Sequence, residues 1–195
     1  FNGSTNYAQT NSTSAFDVAA GNSMTVEAWI NTSSTSGFVV NRKDGPDGIP
    51  GWQLYVTGSG TIEFRFIDNS NNTATATSSG TVNNGQYHYV VGRWSGGSKT
   101  AEILVDNLSP VSATNASVGA NTVTRSLVIG REGDDTPAYY FNGPIDEVRF
   151  SSTARDNCWI GTSYANQSSP SASYTVGGQE NLLDFKYRKQ ITILD

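Results

Sequence analysis

The sequence predicts an all-β protein, an antiparallel two-sheet β-sandwich with one short C-terminal helix. The composition is rich in Ser, Thr, Asn and Gly, and it includes nine Tyr, eight Phe and four Trp against one Met. β-Branched and aromatic residues pack well on a pleated surface, whereas Asn and Gly tolerate turn geometry. Short apolar or alternating segments also recur between turn residues. The 195 residues are enough for one large sandwich around a single core.

Each predicted strand is a short run of apolar or alternating residues between turn residues. Glycine-rich turns at Gly58 to Gly60 and at Gly96 to Ser98 predict two hairpins, because glycine supplies positive φ without steric cost. The predicted strands are Met24 to Ile30, Gly37 to Asn41, Trp52 to Thr57, Thr61 to Ile67, Tyr87 to Trp94, Thr100 to Val105, Ser126 to Ile129 and Ile145 to Phe150.

Two of these strands indicate where the core lies. In Thr61 to Ile67, apolar residues alternate with polar ones, which predicts one buried face. In Tyr87 to Trp94, the adjacent Val90 and Val91 predict a central strand that is covered on both faces. The core is therefore expected to form around aromatic residues, namely Trp29, Phe64, Phe66 and Trp94.

The C-terminal part of the chain changes character after the last predicted strand. Thr153 to Tyr164 predicts a short amphipathic helix over one end of the sandwich, with Trp159, Ile160 and Tyr164 on one face. We therefore assign residues 1–165 to the sandwich and residues 166–182 to a polar linker. Residues 183–195 form an additional predicted strand, which is either the start of a following domain or a strand donated to a neighbour.

Charge and apolar content exclude several classes of partner. The net charge is −5, and the 12 Lys and Arg residues form no continuous basic stripe that could neutralise phosphates, so we expect no nucleic acid partner. We expect no membrane insertion, because no run of about 18 apolar residues occurs. The single Cys158 lies in an apolar context and is interpreted as a small buried hydrophobe.

Several sequence strings occur in a fixed order along most of the chain. They are Phe1-Asn2-Gly3-Ser4 with Tyr7, Met24 to Ile30, Gly51 to Leu54, His88 to Val91, Leu104 to Asp106, Val128 to Gly130 and Phe141 to Phe150. This series resembles the laminin-G-like jelly roll of the concanavalin-A-like lectin/glucanase superfamily. Tyr187 to Ile193 then resembles the opening strand of a small domain of unknown function that accompanies this jelly roll in modular surface proteins of prokaryotes.

The resemblance implies a structural Ca²⁺ near the junction of the first and last strands. Asp146 is the acidic residue at the family's position, and Asn2 and Gly3 are the expected contributors from the first strand. Calcium binds oxygen ligands from carboxylates, amides and backbone carbonyls. Asn2 stands where the family often has Asp, which would weaken the site. The alternative is that Asp146 only hydrogen-bonds local backbone.

We expect no enzyme, and a glycoside hydrolase is kept only as a third alternative, because no suitable set of catalytic residues occurs. Retaining glucanases of the superfamily carry two carboxylates on one face of a strand, about 5 Å apart. Asp146 and Glu147 are adjacent, and adjacent strand residues point to opposite faces. The single His88 has no cysteine or second histidine with which to form a metal or nucleophilic site.

Two acidic loops provide a candidate ligand site at one rim of the sandwich. If the loops meet, their carboxylates could hydrogen-bond sugar hydroxyls while an aromatic ring stacks on the sugar. The alternative is that both loops are solvated turns. The candidate residues are Asp44, Asp47, Trp52, Asp134, Asp135, Tyr139 and Tyr140.

We therefore expect an extracellular or cell-surface binding and adhesion module of a larger protein, which recognises a glycan or a surface protein. The alternative is a structural repeat or filament subunit that binds other copies of itself. In that case the C-terminal segment would complete a neighbouring sheet by β-strand donation. The apolar residues that would make this contact are Phe185, Tyr187, Ile191 and Ile193.

Overall fold

A computed structural model describes residues 1–11, 14–43, 49–107, 109–133 and 138–173 of the chain. The candidate strand-donation residues Phe185, Tyr187, Ile191 and Ile193 lie outside the described residues. So do four residues of the predicted rim site, Asp44, Asp47, Asp134 and Asp135. None of the helices in the described part of the chain is long and apolar enough to cross a lipid bilayer.

The chain folds into two antiparallel sheets that pack face to face, which confirms the predicted sandwich. The strands in the described part of the chain are β1 (Ala8–Gln9), β2 (Met24–Asn31), β3 (Gly37–Lys43), β4 (Gly51–Val56), β5 (Thr61–Ile67), β6 (Thr73–Thr81), β7 (Tyr87–Ser95), β8 (Thr100–Val105), β9 (Val111–Thr114), β10 (Val128–Ile129) and β11 (Ile145–Ser151). One sheet has six of these strands in the order β1-β10-β3-β4-β5-β6, and the other has five in the order β11-β2-β7-β8-β9.

Three helical segments complete the described fold. A 3-10 turn covers Ser14–Phe16, α1 covers Asn157–Ser168 and α2 covers Pro170–Ser173. The predicted C-terminal helix is confirmed, although it begins four residues later than predicted, because Asp156 acts as its N-cap. The beginning of the predicted polar linker is helical, since α1 runs to Ser168 and α2 follows it.

Both predicted hairpins are present, since β4 pairs with β5 and β7 pairs with β8. The sequence missed β1, β6 and β9. Strand β6 consists of Thr, Ala, Ser and Gly, and only its small Ala74 and Ala76 are buried on the core side. A strand without large apolar residues shows no alternation of apolar and polar residues in the sequence. In the fold, backbone pairing with β5 holds β6 in register.

The core lies between the two sheets, where their inner faces meet. The Phe66 ring stacks on Trp94 across the sandwich, with 4.4 Å between ring centroids. Gly92 faces Phe64 so closely that an added Cβ would lie 2.3 Å from its ring, so this position on β7 requires glycine. The predicted core residues Phe64, Phe66 and Trp94 are confirmed.

Three predictions about burial were wrong. Trp29 is only partly buried and lies on the outer face of the five-stranded sheet, because it alternates with the core residues Ala28 and Ile30. Trp159 is 45% exposed, with the Arg155 guanidinium 4.0 Å above its ring. Cys158 is exposed in the first turn of α1, so it contributes nothing to the core.

A buried carboxylate fixes the turn between β5 and β6 to a neighbouring loop. Asp68 is 3% exposed and accepts hydrogen bonds from the backbone N–H groups of Ser70, Asn72 and Gly119. Burial alone would raise the pKa of Asp68, but the hydrogen bonds from Asn72, Gly119 and Ser70 outweigh it and hold the pKa below its ordinary value.

This carboxylate predicts a specific acid sensitivity. Because its pKa is lower when folded than when unfolded, Asp68 contributes stability that is present above the unfolded pKa and lost as pH falls through the folded pKa. We expect Asp68→Asn to lower the free energy of unfolding at neutral pH by about 1–3 kcal/mol. Its stability should also fall less steeply below about pH 4 than that of the wild type. Urea unfolding at a series of pH values measures both effects, and equal acid slopes for the two proteins would contradict the assignment.

Candidate binding groove

Helix α1 is fixed at its start by a cap and by a buried arginine of β7. The Asp156 side chain accepts a hydrogen bond from the Trp159 backbone N–H at 2.7 Å. Arg93 Nη1 donates to the Arg155 carbonyl at 2.6 Å and to Asn157 Oδ1 at 3.0 Å. These contacts fix the start of α1 on the five-stranded sheet. From there the helix runs over the outer face of that sheet.

The helix covers an apolar and aromatic patch on that outer face. Ile160 is fully buried against Tyr89, Val91 and Leu104. Further along the helix, Tyr164 stacks on Trp29 with 5.7 Å between ring centroids. The predicted two-sided burial of β7 is thereby confirmed, because its inner side chains face the core and Tyr89 and Val91 face the helix.

An open groove of about 600 Å³ lies beside the patch, between the end of α1 and the edge strand β11. Tyr87 is 54% exposed in it, and the Trp29 indole N–H donates a hydrogen bond to Gln167 Oε1. The groove thus combines aromatic surface with carboxylate, guanidinium, amide and hydroxyl groups. Its lining residues are Trp29, Tyr87, Asp146, Glu147, Arg149, Tyr164, Gln167 and Ser168.

A β-bulge in β11 shapes one side of the groove. The pairing register with β2 shifts between Asp146 and Arg149, and Glu147 has a left-handed φ of 52°. A non-glycine residue in this conformation costs ~1–3 kcal/mol and is concentrated at functional sites. The bulge also overturns our alternation argument: Asp146 and Glu147 both line the groove, because the extra residue breaks the two-residue period of the strand.

Two carboxylates in or beside the groove accept hydrogen bonds from neighbouring side chains. Glu147 accepts a hydrogen bond from Arg149 Nη2, and both side chains are about half exposed. Next to the groove, the Tyr89 hydroxyl donates to Glu27 Oε2, and Glu27 is 1% exposed. Burial, together with the hydrogen bond to Glu27 and its charge, raises the pKa of Tyr89 above its ordinary value, against the opposing effect of Arg149. Tyr89 therefore remains a protonated donor.

The three residues predicted to hold Ca²⁺ each hydrogen-bond to different parts of the backbone. Asn2 Oδ1 accepts hydrogen bonds from the backbone N–H groups of the three residues that follow Gly3. Gly3 donates its own backbone N–H to the Phe141 carbonyl at 3.0 Å. Asp146 Oδ1 accepts from the Glu147 backbone N–H, as in the alternative interpretation. No hydrogen bond within the described ranges joins Asp146 to Asn2 or Gly3, and the calcium site stays a prediction.

Three of the seven residues of the predicted rim site belong to the described part of the chain. Trp52 was a wrong choice, because it is 1% exposed and stacks on Phe150 in the core, where no sugar can reach its ring. Tyr139 is 55% exposed and contacts Tyr55 edge to face, while Tyr140 is partly buried. The remaining four candidates, all Asp, lie outside the described residues.

The sequence did not identify the groove, although two signals were present. Tyr87 and Tyr89 alternate on one strand, so both face outward, and Trp29 lies opposite Tyr89 on the neighbouring strand. The second signal was the predicted helix face that includes Tyr164. What the sequence could not reveal is that this helix lies over that particular row of side chains.

Comparison with known proteins gives a consistent picture of the fold. Residues 2–161 match the family Laminin_G_3, described as the Concanavalin A-like lectin/glucanases superfamily. No curated protein matches the chain significantly. Among solved structures, a native heptameric SAP-like pentraxin from Limulus polyphemus is 17% identical, with a TM-score of 0.62 over 86% of this chain and 81% of that one.

Two further structures share the fold at similarly low identity. Domains LG4-5 of the mouse laminin alpha1 chain are 19% identical, with a TM-score of 0.61 over 80% of this chain and 43% of that one. The CBM40 of the Ruminococcus gnavus IT-sialidase, bound to alpha2,3 sialyllactose, is 13% identical, with a TM-score of 0.60 over 74% of this chain and 84% of that one.

The cap of α1 supplies a test of how the groove is supported. Asp156→Ala removes the side-chain oxygen that accepts the Trp159 backbone N–H, and the loss of such an N-cap costs about 1 kcal/mol. We expect this decrease in the free energy of unfolding, measured by urea denaturation. Asp156→Asn is the matched control, because Asn caps as well as Asp and should retain nearly full stability. Equal losses in both variants would assign the effect to the charge rather than to the cap.

Proposed function

The chain belongs to the Concanavalin A-like lectin/glucanases superfamily, and we propose that it is a non-catalytic binding module that holds a glycan in the groove between α1 and β11. The observation that carries the proposal is the composition of this groove. The Tyr87 ring is half exposed beside Trp29, and carboxylate, guanidinium and amide groups surround the two rings.

These groups match the two requirements of sugar recognition. A pyranose presents an apolar face that packs on an aromatic ring, and hydroxyl groups at its edge that need hydrogen-bond partners. Tyr87 supplies an accessible ring, while Asp146 and Glu147 supply acceptors and Arg149 supplies donors. The volume of about 600 Å³ lies within the usual range for small-molecule sites. The open shape suits a chain of sugars better than an enclosed metabolite.

The comparisons support the same class of ligand by analogy. One structural neighbour is a CBM40 bound to alpha2,3 sialyllactose, and it is similar to this chain over most of both lengths. At 13% identity the similarity supports a shared fold, but it does not show that the sugar-binding residues are shared. The choice of ligand class for this chain therefore depends on the residues of the groove.

The carboxylates of the groove do not favour hydrolysis. A glycosidase needs one carboxyl group kept protonated by a poorly solvated environment and a second one placed across the scissile bond. Asp146 and Glu147 are both exposed, and Glu147 is paired with Arg149. Asp146 uses Oδ1 to accept the backbone N–H of its neighbour. These settings suit hydrogen bonding to hydroxyl groups.

We place the module on the extracellular side or at the cell surface, where it would bind glycans or a glycosylated surface protein. The structural alternative, a filament repeat built by strand donation, has less support from the described edges. A donated strand would need a regular free edge, and the bulge at Asp146 to Arg149 interrupts the edge strand β11. At the opposite side of the sandwich the edge strands β6 and β9 contact each other.

The proposal predicts which exposed tyrosine matters. Tyr87→Ala should weaken glycan binding at least about tenfold, because it removes the accessible stacking surface of the groove. Tyr139→Ala is the matched control, since Tyr139 is 55% exposed against 54% for Tyr87 but belongs to the predicted rim. The measurement is a glycan array followed by calorimetry on the oligosaccharides that bind. Loss of binding in Tyr139→Ala alone would move the site to the rim.

A second prediction concerns catalysis. Prolonged incubation with every polysaccharide that binds should release no reducing ends, because the groove lacks a shielded acid. Release of reducing sugar that Glu147→Gln abolishes would contradict the non-catalytic assignment. The Glu147→Gln protein should still bind, with a modest loss from the broken ion pair with Arg149.

A further inference from the structure

A second, smaller cavity of about 250 Å³ lies on the other sheet, beside the short strands β1 and β10. Most of its lining is polar and it holds two guanidinium groups, although the protein as a whole is acidic. The lining residues are Gln9, Thr124, Arg125, Ser126, Val128, Arg131 and Gly133.

Arg131 is held in this cavity by described contacts that include no carboxylate. Its guanidinium carbon lies 4.0 Å from the centroid of the Tyr7 ring, and Nη1 donates to the Glu132 carbonyl at 2.8 Å. The backbone is fixed as well, because Asn41 Nδ2 donates to the Arg131 carbonyl. Arg131 is only 8% exposed, and in the described structure its buried Nε has no hydrogen-bond partner.

Comparison with the other buried arginines of the described ranges shows what is unusual. Arg42 pairs with Asp17 at 2.5 Å, and Arg93 pairs with Glu102 at 2.7 Å. Among the described residues Arg131 has no carboxylate partner, since the adjacent Glu132 pairs with Lys43 at 2.9 Å instead. Burying a cation without a counter-ion is costly, so a buried and unpaired guanidinium beside an open cavity indicates a place for an anion.

We propose that this cavity binds a carboxylate or sulfate group of an acidic ligand, with Arg131 as the charged partner. Guanidinium groups bind planar carboxylates and sulfates through paired N–H donors, and Ser126 and Thr124 can add hydroxyl donors. The site is separate from the groove and does not depend on the function proposed for it. An acidic sugar is the ligand class that would bring such a group to a module of this superfamily.

Calorimetry with four probes tests the proposal: sodium sulfate, glucuronate, glucose 6-sulfate and glucose. We expect the anionic probes to bind and glucose to fail at this site. The anionic probe that binds with the highest affinity shows whether the site prefers free sulfate, the carboxylate of a sugar acid or the sulfate group of a sulfated sugar. Arg131→Gln should weaken this binding at least about tenfold, because a charge-assisted pair is lost.

Controls separate the cavity from charge in general and from the groove. Lys99→Gln removes one positive charge in the turn between β7 and β8 and should leave anion binding unchanged. Tyr87→Ala, which disables the groove, should also leave it unchanged. If Arg131→Gln folds poorly, Ser126→Ala removes a lining hydroxyl and should weaken binding severalfold. Absence of anion binding by the wild type, or equal binding by Arg131→Gln and the wild type, would overturn the proposal.

Discussion

Burial of the central strands on both faces is the constraint on which the binding groove depends. The inward residues of β2 and β7 fill the core, so the outward row that includes Glu27, Trp29 and Tyr89 needs a second cover. Helix α1 supplies that cover through Ile160 and Tyr164. Part of the aromatic row stays open to solvent, since Tyr87 is 54% exposed. The groove is the part of this face that the helix leaves uncovered.

Much of the sandwich could be predicted from local pattern, because most of its strands are apolar or alternating runs and two of its turns contain glycine. The failures have a common physical cause, which is that local pattern does not say what lies opposite a residue. Strand β6 is made of small polar residues and is held by its partner rather than by its own apolar content. Trp29 was assigned to the core together with other aromatic residues, although its position in the alternation puts it outside.

The binding groove was less predictable than the fold because its residues come from four separated segments of the chain. Aromatic residues of β2 and β7 meet the end of α1 only after the sheet has formed and the helix has folded back over it. The bulge at Glu147 adds a second difficulty, since one extra residue reverses the side to which the following side chains point. The exposed Arg149 and Glu147 pair therefore gave no signal in the sequence. The Arg131 cavity could not be predicted either, because the lack of a carboxylate partner among the described residues depends on how the folded chain surrounds Arg131.

The position of α1 in the chain has a mechanical consequence. The helix forms one side of the groove, and it is also the last long element of the described chain, followed only by the short α2. A pulling force transmitted through Ser173 reaches the groove before it reaches the sandwich. Among the first contacts to resist it are the stacking of Tyr164 on Trp29 and the hydrogen bond from Trp29 to Gln167. A ligand that touches both α1 and β11 would share that load, so occupancy and tension along the chain act on the same few side chains.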